Sequence, residues 1–458
     1  MGMLFGTDGV RGVANEGLTP ELAYKLGKAG AYVLGRGGRR PRIILGKDTR
    51  ISGDMLEAAL MAGILSVGGD CLRAGVVPTP GLAYLTRVYD CCAGIVISAS
   101  HNPVADNGIK FFAGDGFKLP DPVEEEIERL VLKDGFPYPR PTGVDIGRVY
   151  EEKEAVGRYL SFLEEVLAVD LQGLKIVVDC ANGAASCVAP QLFRDLGAEV
   201  VVIAGEPDGT NINEECGSTN PKALQREVRE RKAHLGLAFD GDADRLIAVD
   251  EEGNLVDGDQ IMVICGLHRH RKGELKGNRV TVSVMSNLGL KEAFQKVGVT
   301  VEETRVGDRY ILEALLQNGG VMGGEQSGHI IFLDRTTTGD GLVTALELLR
   351  VIREEGKTLS QLASQMRRFP QLLVNVRVRD KEGLKDNPEV AEAIRRAEER
   401  LGEQGRILVR PSGTEPLIRV MGEALDENLL REVVDELAEV VAVQLNRQLV
   451  ADGREAGR

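Results

Sequence analysis

Short apolar runs that end at glycines or polar turns recur along the first three quarters of the chain, and they predict a repeated α/β unit. The first strand covers residues 42–46, and a helix over 54–67 follows with Ser52 as its N-cap. A pair of glycines ends this helix, and a second strand begins near Cys71. The helix places four apolar side chains on one face: Leu56, Leu60, Ile64 and Val67. This order of strand, turn, helix, glycine and strand is typical of a parallel α/β sheet.

The same order returns twice, and in each unit a further apolar strand leads into a polar loop. The later copies are strands 175–179 and 199–203 around helix 186–196, and strands 279–284 and 300–303 around helix 288–297. The further strands lead into different polar residues: 95–97 into Ser100, 235–239 into Asp240, and 321–322 into Glu325. Repeats that are more than about 100 residues apart indicate separate domains. Ligands in open α/β sheets bind at the carboxyl ends of strands, so we expect these three loops to carry the chemistry.

The last quarter of the chain has a different pattern. A strand over 372–378 alternates apolar and polar residues, and the amphipathic helix 389–401 ends at Gly402. Strands 406–410 and 417–421 flank another polar loop, and a long helix over 427–445 follows them. This pattern predicts a small α+β domain whose sheet is covered on one face.

The predicted fold is therefore α/β, with three similar α/β domains of mixed sheets and a smaller C-terminal α+β domain around a central cleft. The predicted domains cover residues 1–153, 154–255, 256–367 and 368–458. A hinge is predicted at 367–370, where Pro370 interrupts the chain.

Composition and charge narrow the class of protein. The 458 residues include 56 Lys and Arg against 70 Asp and Glu, a net charge of −14, which disfavours nucleic acid and anionic membrane surfaces as partners. The seven scattered cysteines indicate reduced thiols. We find neither a signal-peptide pattern nor an apolar run of the roughly 18 residues that a membrane span needs, so a cytoplasmic protein is expected.

The clearest chemical signal is a run of three alternating aspartates. Asp240, Asp242 and Asp244 directly follow an apolar strand and are separated only by Gly and Ala. Such a loop can direct three carboxylates at one hard cation, Mg²⁺ or Ca²⁺, although the glycine and glutamate of an EF-hand are missing. Arg245 would then lie beside an anion that the metal shares. The alternative is a solvated acidic turn.

Ser100 and His101 follow the strand 95–97, and Pro103 forces the chain out of the sheet there. A hydroxyl at a strand end beside an imidazole suits a nucleophile or a phosphoryl carrier, although Ser and Asn are also ordinary loop residues. Lys110 is interpreted as a surface lysine unless the loop folds back on Ser100.

Three further loops are candidates for ligand binding. One loop lies between the last two strands and offers a guanidinium, hydroxyls and backbone N–H groups to an oxyanion; its residues are Arg410, Ser412, Gly413 and Thr414. Arg419 on the next strand is a further candidate for this set. The alternative is a simple hairpin turn. A second loop places Glu325, Ser327 and His329 among glycines, which let a ligand approach the backbone. The Glu and Ser side chains suit binding to sugar hydroxyls. The histidine is either a proton carrier or a structural residue. Arg11 projects from a glycine-rich N-terminal loop, which is a weak signal alone.

Taken in order, these loops resemble those of the α-D-phosphohexomutases. The resemblance rests on residues 5–12, 98–103, 240–245, 324–329 and 410–416, and it extends over essentially the whole chain. The short sequences Ser98-Ala-Ser100 and Glu325-Gln-Ser327 are similar to those of the glucosamine-phosphate members of the family.

The resemblance implies a mechanism. Ser100 would carry a phosphoryl group, and one of its oxygens would hold Mg²⁺ together with Asp240, Asp242 and Asp244. Transfer to glucosamine 6-phosphate would give a 1,6-bisphosphate, and return of the 6-phosphoryl group would leave glucosamine 1-phosphate, on the route to UDP-N-acetylglucosamine and the cell wall. A glucosamine 1,6-bisphosphate or similar sugar would act as activator. The ligand would be a small sugar phosphate, and no nucleic-acid or membrane partner is expected. A homodimer is one of the oligomeric states compatible with the resemblance.

The resemblance also implies roles for the other residues. The non-reacting phosphate would be held by Arg410, Ser412, Gly413, Thr414 and Arg419, and the sugar hydroxyls by Glu325 and Ser327. The catalytic set would be Ser100, His101, Lys110, Arg11, Arg245 and His329, with Lys110, His101 and His329 as unranked proton carriers.

Four other functions compete with this hypothesis. The same chemistry on mannose or glucose phosphates is the first alternative. A metal-dependent phosphatase is the second, but it explains neither Ser100 nor the phosphate loop of the last domain. A sensor of phosphosugars is the third, and it has no need for three metal-binding carboxylates. A structural repeat protein is the fourth, and it has no need for glycine loops at strand ends.

Overall fold

The computed structural model describes residues 4–6, 8–36, 40–133, 135–379, 381–384, 386–412 and 416–452. The chain forms two compact units. The first consists of Met1–Ser286 with Phe294–Gln365, and the second of Asn287–Ala293 with Met366–Arg458. Within the described residues, no helix is both long and apolar enough to cross a membrane.

The first sheet of the first unit is built from six strands: β1 (Val10–Val13), β2 (Arg42–Lys47), β3 (Asp70–Val76), β4 (Ala93–Ile97), β5 (Asp106–Ala113) and β6 (Val149–Glu151). Their order is β1-β5-β4-β2-β3-β6, with β5 antiparallel to both of its neighbours. The helices are α1 (Pro20–Leu34), α2 (Ser52–Ser66), α3 (Thr79–Val88) and α4 (Asp121–Leu132). Buried clusters lie on both faces of the sheet, and every residue of β4 is therefore buried.

The second sheet repeats this plan. Its elements are α5 (Ala155–Val166), β7 (Lys175–Asp179), α6 (Ala189–Asp195), β8 (Glu199–Ile203), α7 (Lys222–Arg231), β9 (Leu235–Phe239), β10 (Leu246–Asp250) and β11 (Leu255–Val256). The strand order is β11-β10-β9-β7-β8, in which β10 runs antiparallel to β9.

The third sheet has the same core with four strands. Its elements are α8 (Gly258–Lys272), β12 (Arg279–Ser283), α9 (Leu288–Gln295), β13 (Thr300–Thr304), α10 (Asp308–Asn318), β14 (Met322–Gly324), β15 (Ile330–Phe332), α11 (Gly341–Glu355) and α12 (Leu359–Ala363). The order is β13-β12-β14-β15, and β15 is antiparallel to β14.

The three sheets therefore share one arrangement. A central strand (β2, β7 or β12) pairs in parallel with one strand on each side, and a hairpin then adds an antiparallel strand. The hairpins β4–β5, β9–β10 and β14–β15 occupy equivalent places and carry the three predicted loops. The repeated α/β unit predicted from the hydrophobic pattern is confirmed.

The second unit contains β16 (Gln371–Arg377), α13 (Pro388–Leu401), β17 (Gly405–Pro411), β18 (Leu417–Ala424) and α14 (Glu427–Asp452). The antiparallel sheet has the order β16-β18-β17, and α13 and α14 pack against its apolar residues. Val376 and Val378 are buried while their polar neighbours are exposed, as the alternation predicts. The chain thus has three similar α/β domains and a smaller C-terminal domain.

Two local predictions were wrong. Ser52 is the first residue of α2 and not its N-cap; its hydroxyl accepts a hydrogen bond from Asn107 Nδ2 at 2.9 Å. The helix predicted over 186–196 is a 3₁₀ turn, Ala184–Cys187, followed by α6, because Pro190 has no N–H to continue a helix.

Candidate active site

The three hairpin loops of the first unit meet at one place. The hydroxyl of Ser100, after β4, donates to Asp240 Oδ2 at 2.5 Å, after β9. His329, before β15, has its Nδ1 at 3.6 Å from Asp244 Oδ2. The structure thus brings together residues that the sequence separates by more than two hundred positions, because each loop leaves its sheet at the carboxyl end of an equivalent strand.

Ser100 lies in a strained and buried loop. Its φ is 53°, an uncommon value for a residue other than glycine, and the side chain is almost fully buried. The Ser100 N–H donates to Ser98 Oγ at 2.9 Å, and the Ser98 hydroxyl donates to Asp48 Oδ2 at 2.6 Å. Asp48 also pairs with Arg50 at 2.9 Å, and neither side chain is exposed.

Arg50 is the main clamp on this loop. Its guanidinium donates to the backbone carbonyl oxygens of Ser100, Asn102, Pro103 and Asp106. Asn213 Nδ2, from the second α/β domain, donates to the Ser100 and Asn102 carbonyl oxygens at 2.9 and 3.0 Å. These donors satisfy the backbone carbonyl groups of the loop and hold it in place.

The three aspartates form a buried acidic cluster, in which one carboxylate oxygen of each lies within 4.8 Å of the others. Burial, followed by the charges of Asp244 and Asp242, holds the pKa of Asp240 well above its ordinary value. Asp242 Oδ1 and Asp244 Oδ1 are buried without a hydrogen-bond partner among the residues that the structure describes. Hard carboxylate oxygens that are buried without a hydrogen-bond partner fit a divalent metal ion.

Lys110 is not a surface residue, because β5 folds back beside the serine loop. Its ammonium lies 2.7 Å from Asp242 Oδ2, 2.9 Å from Asp8 Oδ2 and 3.6 Å from Asp244 Oδ2. Burial alone would lower the lysine's pKa, but these three carboxylates raise it, so the ammonium form is held in the site. Thr79 also donates to Asp242 Oδ2, at 2.6 Å.

The pKa values of the two candidate histidines are shifted in opposite directions. His101 Nδ1 lies 3.3 Å from Ser100 Oγ, and burial together with Arg245 and Arg11 lowers the pKa of His101 to about 4. Burial opposes the charged form of His329 as well, but Asp244 and Asp308 outweigh it and raise that pKa. His101 is therefore the neutral imidazole at pH 7.

The remaining predicted residues of the first unit surround this cluster. Arg11 pairs with Asp8, and the backbone N–H of Arg245 donates to Asp240 Oδ1 at 3.2 Å. Glu325 Oε1 accepts from the Gly307 N–H at 3.1 Å. Ser327, at the tip of the same turn, is exposed.

In the second unit, Arg410 and Arg419 lie directly opposite each other on β17 and β18. Opposite residues of an antiparallel pair project from the same face, so the two guanidinium groups are neighbours. Ser412 is buried, and its carbonyl oxygen accepts from Lys381 Nζ at 2.8 Å. The predicted Gly413 and Thr414 lie outside the described residues.

Several residues of the site were missed in the sequence: Asp8, Asp48, Arg50, Lys118, Asn213 and Asp308. A signal existed for Asp48 and Arg50, since their turn follows β2, whose carboxyl end lies beside that of β4. Asp8 lies in the glycine-rich loop 5–12, from which only Arg11 was chosen. Lys118, Asn213 and Asp308 reach the site from distant parts of the chain, and no local pattern marks them.

Comparison with known proteins identifies the family of the chain. Four family models match the chain: the phosphoglucomutase/phosphomannomutase α/β/α domains I, II and III, over residues 2–137, 157–253 and 257–369, and the C-terminal domain over 373–440. A phosphoglucosamine mutase of Carboxydothermus hydrogenoformans is 64% identical over 96% of this chain and 99% of its own length.

Solved structures show the same fold. A phosphoglucomutase/phosphomannomutase family protein from Burkholderia thailandensis has a TM-score of 0.80 at 23% identity, covering 96% of this chain and 97% of that chain. The N-acetylphosphoglucosamine mutase of Aspergillus fumigatus, in complex with GlcNAc-6P and magnesium, has a TM-score of 0.65 at 18% identity, over 97% and 96%. The resemblance noted in the sequence is confirmed, and the chain belongs to the phosphoglucomutase/phosphomannomutase family.

Proposed function

We propose that the chain interconverts glucosamine 6-phosphate and glucosamine 1-phosphate, with Ser100 as the phosphoryl carrier. Family membership makes it an intramolecular phosphotransferase, and the 64% identical relative is a phosphoglucosamine mutase. The observation that carries the proposal is the 2.5 Å contact of Ser100 Oγ with Asp240 Oδ2, inside a cluster of three buried carboxylates.

Mg²⁺ is the metal we propose for this cluster. Asp240, Asp242 and Asp244 would hold it, together with an oxygen of the phosphoryl group on Ser100. The bound ion neutralises charge on the phosphoryl oxygens, which is the main requirement of phosphoryl transfer. The side chains of Lys110 and Arg245 place further positive charge beside the carboxylates.

The reaction has two transfers. In the first, the phosphorus–oxygen bond to Ser100 breaks while the O1 hydroxyl of glucosamine 6-phosphate bonds to phosphorus, and that hydroxyl's proton leaves to a basic group of the site. The leaving Ser100 Oγ takes a proton from an acidic group of the site, and the products are glucosamine 1,6-bisphosphate and a free Ser100 hydroxyl. In the second, Ser100 takes the 6-phosphoryl group, a proton returns to the sugar O6, and glucosamine 1-phosphate remains. His101, neutral and 3.3 Å from Ser100 Oγ, can accept the serine proton in that step.

Other residues of the chain would bind the parts of the substrate that do not react. Arg410, Arg419 and Ser412, with Gly413 and Thr414, would hold the phosphate that is not reacting, and Glu325 and Ser327 would hold the sugar hydroxyls. We also propose that the enzyme works in the cytoplasm on small sugar phosphates without nucleic-acid or membrane partners, which its charge of −14 supports.

The test is turnover of glucosamine 6-phosphate with Mg²⁺ and a trace of 1,6-bisphosphate sugar, beside mannose and glucose 6-phosphates. We expect the glucosamine sugar to give the highest kcat/KM, and EDTA to abolish turnover. Purified protein should contain a fraction heavier by one phosphoryl group, absent in Ser100→Ala. A higher kcat/KM for the mannose or glucose phosphate would overturn the proposed substrate assignment. Full activity of Ser100→Ala would overturn the assignment of Ser100 as the phosphoryl carrier.

A further inference from the structure

Lys118 connects the predicted site to a second set of charges. It follows the β5 strand of the first domain, and its side chain is only 11% exposed. Its ammonium donates to Asp8 Oδ1 at 2.6 Å and pairs with Asp308, the first residue of α10 in the third domain. None of these three residues belongs to the sequence-predicted catalytic set.

The contacts of these residues close a ring around the site. Asp8 bridges Lys118 to Lys110, whose ammonium is 2.9 Å from Asp8 Oδ2 and 3.6 Å from Asp244 Oδ2. Asp308 bridges Lys118 to His329, since Asp308 Oδ2 lies 3.6 Å from His329 Nε2. His329 Nδ1 then faces Asp244 Oδ2 at the same distance of 3.6 Å. Basic and acidic side chains alternate around the ring: Lys110, Asp8, Lys118, Asp308, His329 and Asp244.

Stability alone is a poor explanation for this ring. Six ionisable side chains lose water there, and a buried ion pair often stabilises a fold no more than apolar residues of the same volume would. The first and third domains are already joined nearby by other contacts. Arg309 pairs with Asp121 and Glu124, and the Thr337 hydroxyl donates to the Gly116 carbonyl oxygen at 2.6 Å.

The ring does fix two proton-carrier candidates. Lys110 is held by Asp8 as well as by Asp242, and both nitrogens of His329 face carboxylates. The backbone of Gly339 lies so close to His329 that a Cβ there would be 2.3 Å from Nε2, so the imidazole has no room to move toward Gly339.

We infer that Asp8, Lys118 and Asp308 are positioning residues for phosphoryl transfer: they complete a ring of alternating charges that holds Lys110 and His329 against the metal carboxylates. This inference rests on the proposed function. Because it concerns the placement of side chains, it can also be tested without substrate.

The first experiment compares Lys118→Met and Asp308→Asn with Arg309→Met, which removes an ion pair between the same two domains outside the ring. We expect kcat for glucosamine 6-phosphate to fall about ten- to a hundredfold in the two ring variants, with KM changed less than about threefold, because small misplacement of a catalytic group has effects of this size. Arg309→Met should keep kcat within about twofold. The Lys118→Met/Asp308→Asn double variant should lose no more than the worse single one, because both substitutions open the same ring.

The second experiment uses no substrate. The protein contains five histidines, so the ring ¹⁵N resonances of His329 can be assigned by substitution. We expect these resonances to shift in Asp308→Asn and Lys118→Met and to stay unchanged in Arg309→Met. Asp308→Asn conserves side-chain volume, so it keeps the test informative if Lys118→Met does not fold.

The outcomes separate the two proposals. A wild-type protein that does not turn over glucosamine phosphates overturns the proposed function, whatever the resonances show. Normal wild-type turnover overturns the inference alone if the ring variants match Arg309→Met in kcat, if their losses multiply in the double variant, or if the His329 resonances do not respond.

Discussion

At the scale of single residues, the site depends on backbone contacts as much as on side-chain chemistry. The positive φ of Ser100 is unfavourable by itself, and it persists because Arg50, Ser98 and Asn213 bind the backbone around it. The hydroxyl is thereby aimed at Asp240 before any substrate arrives. Preorganisation of this kind can be tested at residues that never touch the sugar.

Asn213→Gly is the sharpest test of this backbone clamp. Asn213 itself has a φ of 58°, so glycine keeps its backbone conformation and removes only the amide that donates to Ser100 and Asn102. We expect a loss of about 1–2 kcal/mol in the free energy of unfolding and a fall in kcat of about tenfold. Denaturant unfolding and steady-state kinetics measure the two effects. An unchanged kcat at the reduced stability would show that the clamp does not position Ser100.

Gly241→Ala should separate the serine and metal loops. A Cβ at this position would lie 2.5 Å from the Ser100 carbonyl oxygen, which is too close for any real contact. We expect kcat to fall by at least about tenfold, because Ser100 must move away from Asp240. Gly157→Ala in α5 is the matched control, since nothing lies within 4 Å of a Cβ there and alanine favours a helix. Equal activity of both variants would contradict the prediction.

Asp179, at the end of β7, gives a pH-dependent contribution to the stability of the fold. Burial raises the pKa of Asp179 from 3.8 to about 6, although the N–H groups of Ala181 and Gly217 donate to it. A carboxyl whose folded pKa is raised stabilises the protein fully below the unfolded pKa and loses that contribution as pH rises through the folded value. Relative to Asp179→Asn, the wild type should therefore lose about 2–3 kcal/mol of stability between pH 4 and pH 7. A stability difference that stays constant over this range would rule out the shifted pKa.

At the scale of elements, the sequence predicted the strands and the loops that follow them, because burial on both faces leaves continuous apolar runs. β7, β8 and β9 begin and end at the predicted residues. The environment of Lys110 was not predictable, since an isolated lysine in a strand is usually exposed. A buried ammonium requires carboxylates, and those of Asp8 and Asp242 come from the chain's beginning and from another domain. The clamp by Arg50 was missed although its turn follows β2, because the sequence does not show that the carbonyl oxygens of the serine loop lie beside that turn.

The junction of α5 and α11 provides a test at this scale. Asp340 caps α11, because its Oδ1 accepts from the Leu342 and Val343 N–H groups, and its Oδ2 accepts from the Tyr159 hydroxyl at 2.7 Å. Tyr159→Phe removes that donor and leaves a buried carboxylate oxygen without it. We expect the free energy of unfolding to fall by about 1–3 kcal/mol. An unchanged thermal midpoint would mean that water or another donor replaces the hydroxyl.

At the scale of the whole molecule, the chain passes between the two units at three points: after Ser286, after Ala293 and after Gln365. The hinge predicted at 367–370 lies inside the second unit. Phe369 is buried there, and its N–H donates to Asn287 Oδ1 at 3.0 Å while its carbonyl oxygen accepts from Asn287 Nδ2 at 2.9 Å. This segment is therefore packed, since Asn287 holds it from an earlier part of the chain.

The two units should contribute separately to binding and transfer. Arg410→Ala removes a guanidinium of the second unit, and we expect it to weaken binding of both glucosamine phosphates by about ten- to a hundredfold, the effect of losing a charge-assisted contact. Asp242→Asn, in the metal loop, should abolish transfer while changing that affinity less than about threefold. Isothermal titration and single-turnover kinetics distinguish the two losses. Equal sugar-phosphate affinity of wild type and Arg410→Ala would contradict the assigned role.

The equivalence of the three hairpins has a consequence for the history of the molecule. Three copies of one strand pattern that end in a serine loop, an aspartate loop and a glutamate loop are what duplication of an ancestral gene segment, followed by divergence, would produce. The loop of one copy could then change while the loops of the other two kept their function, because each loop is carried by its own sheet. Selection for a new sugar would act first on Glu325 and Ser327 of the third copy, while Ser100 and the three aspartates of the first two copies stayed unchanged.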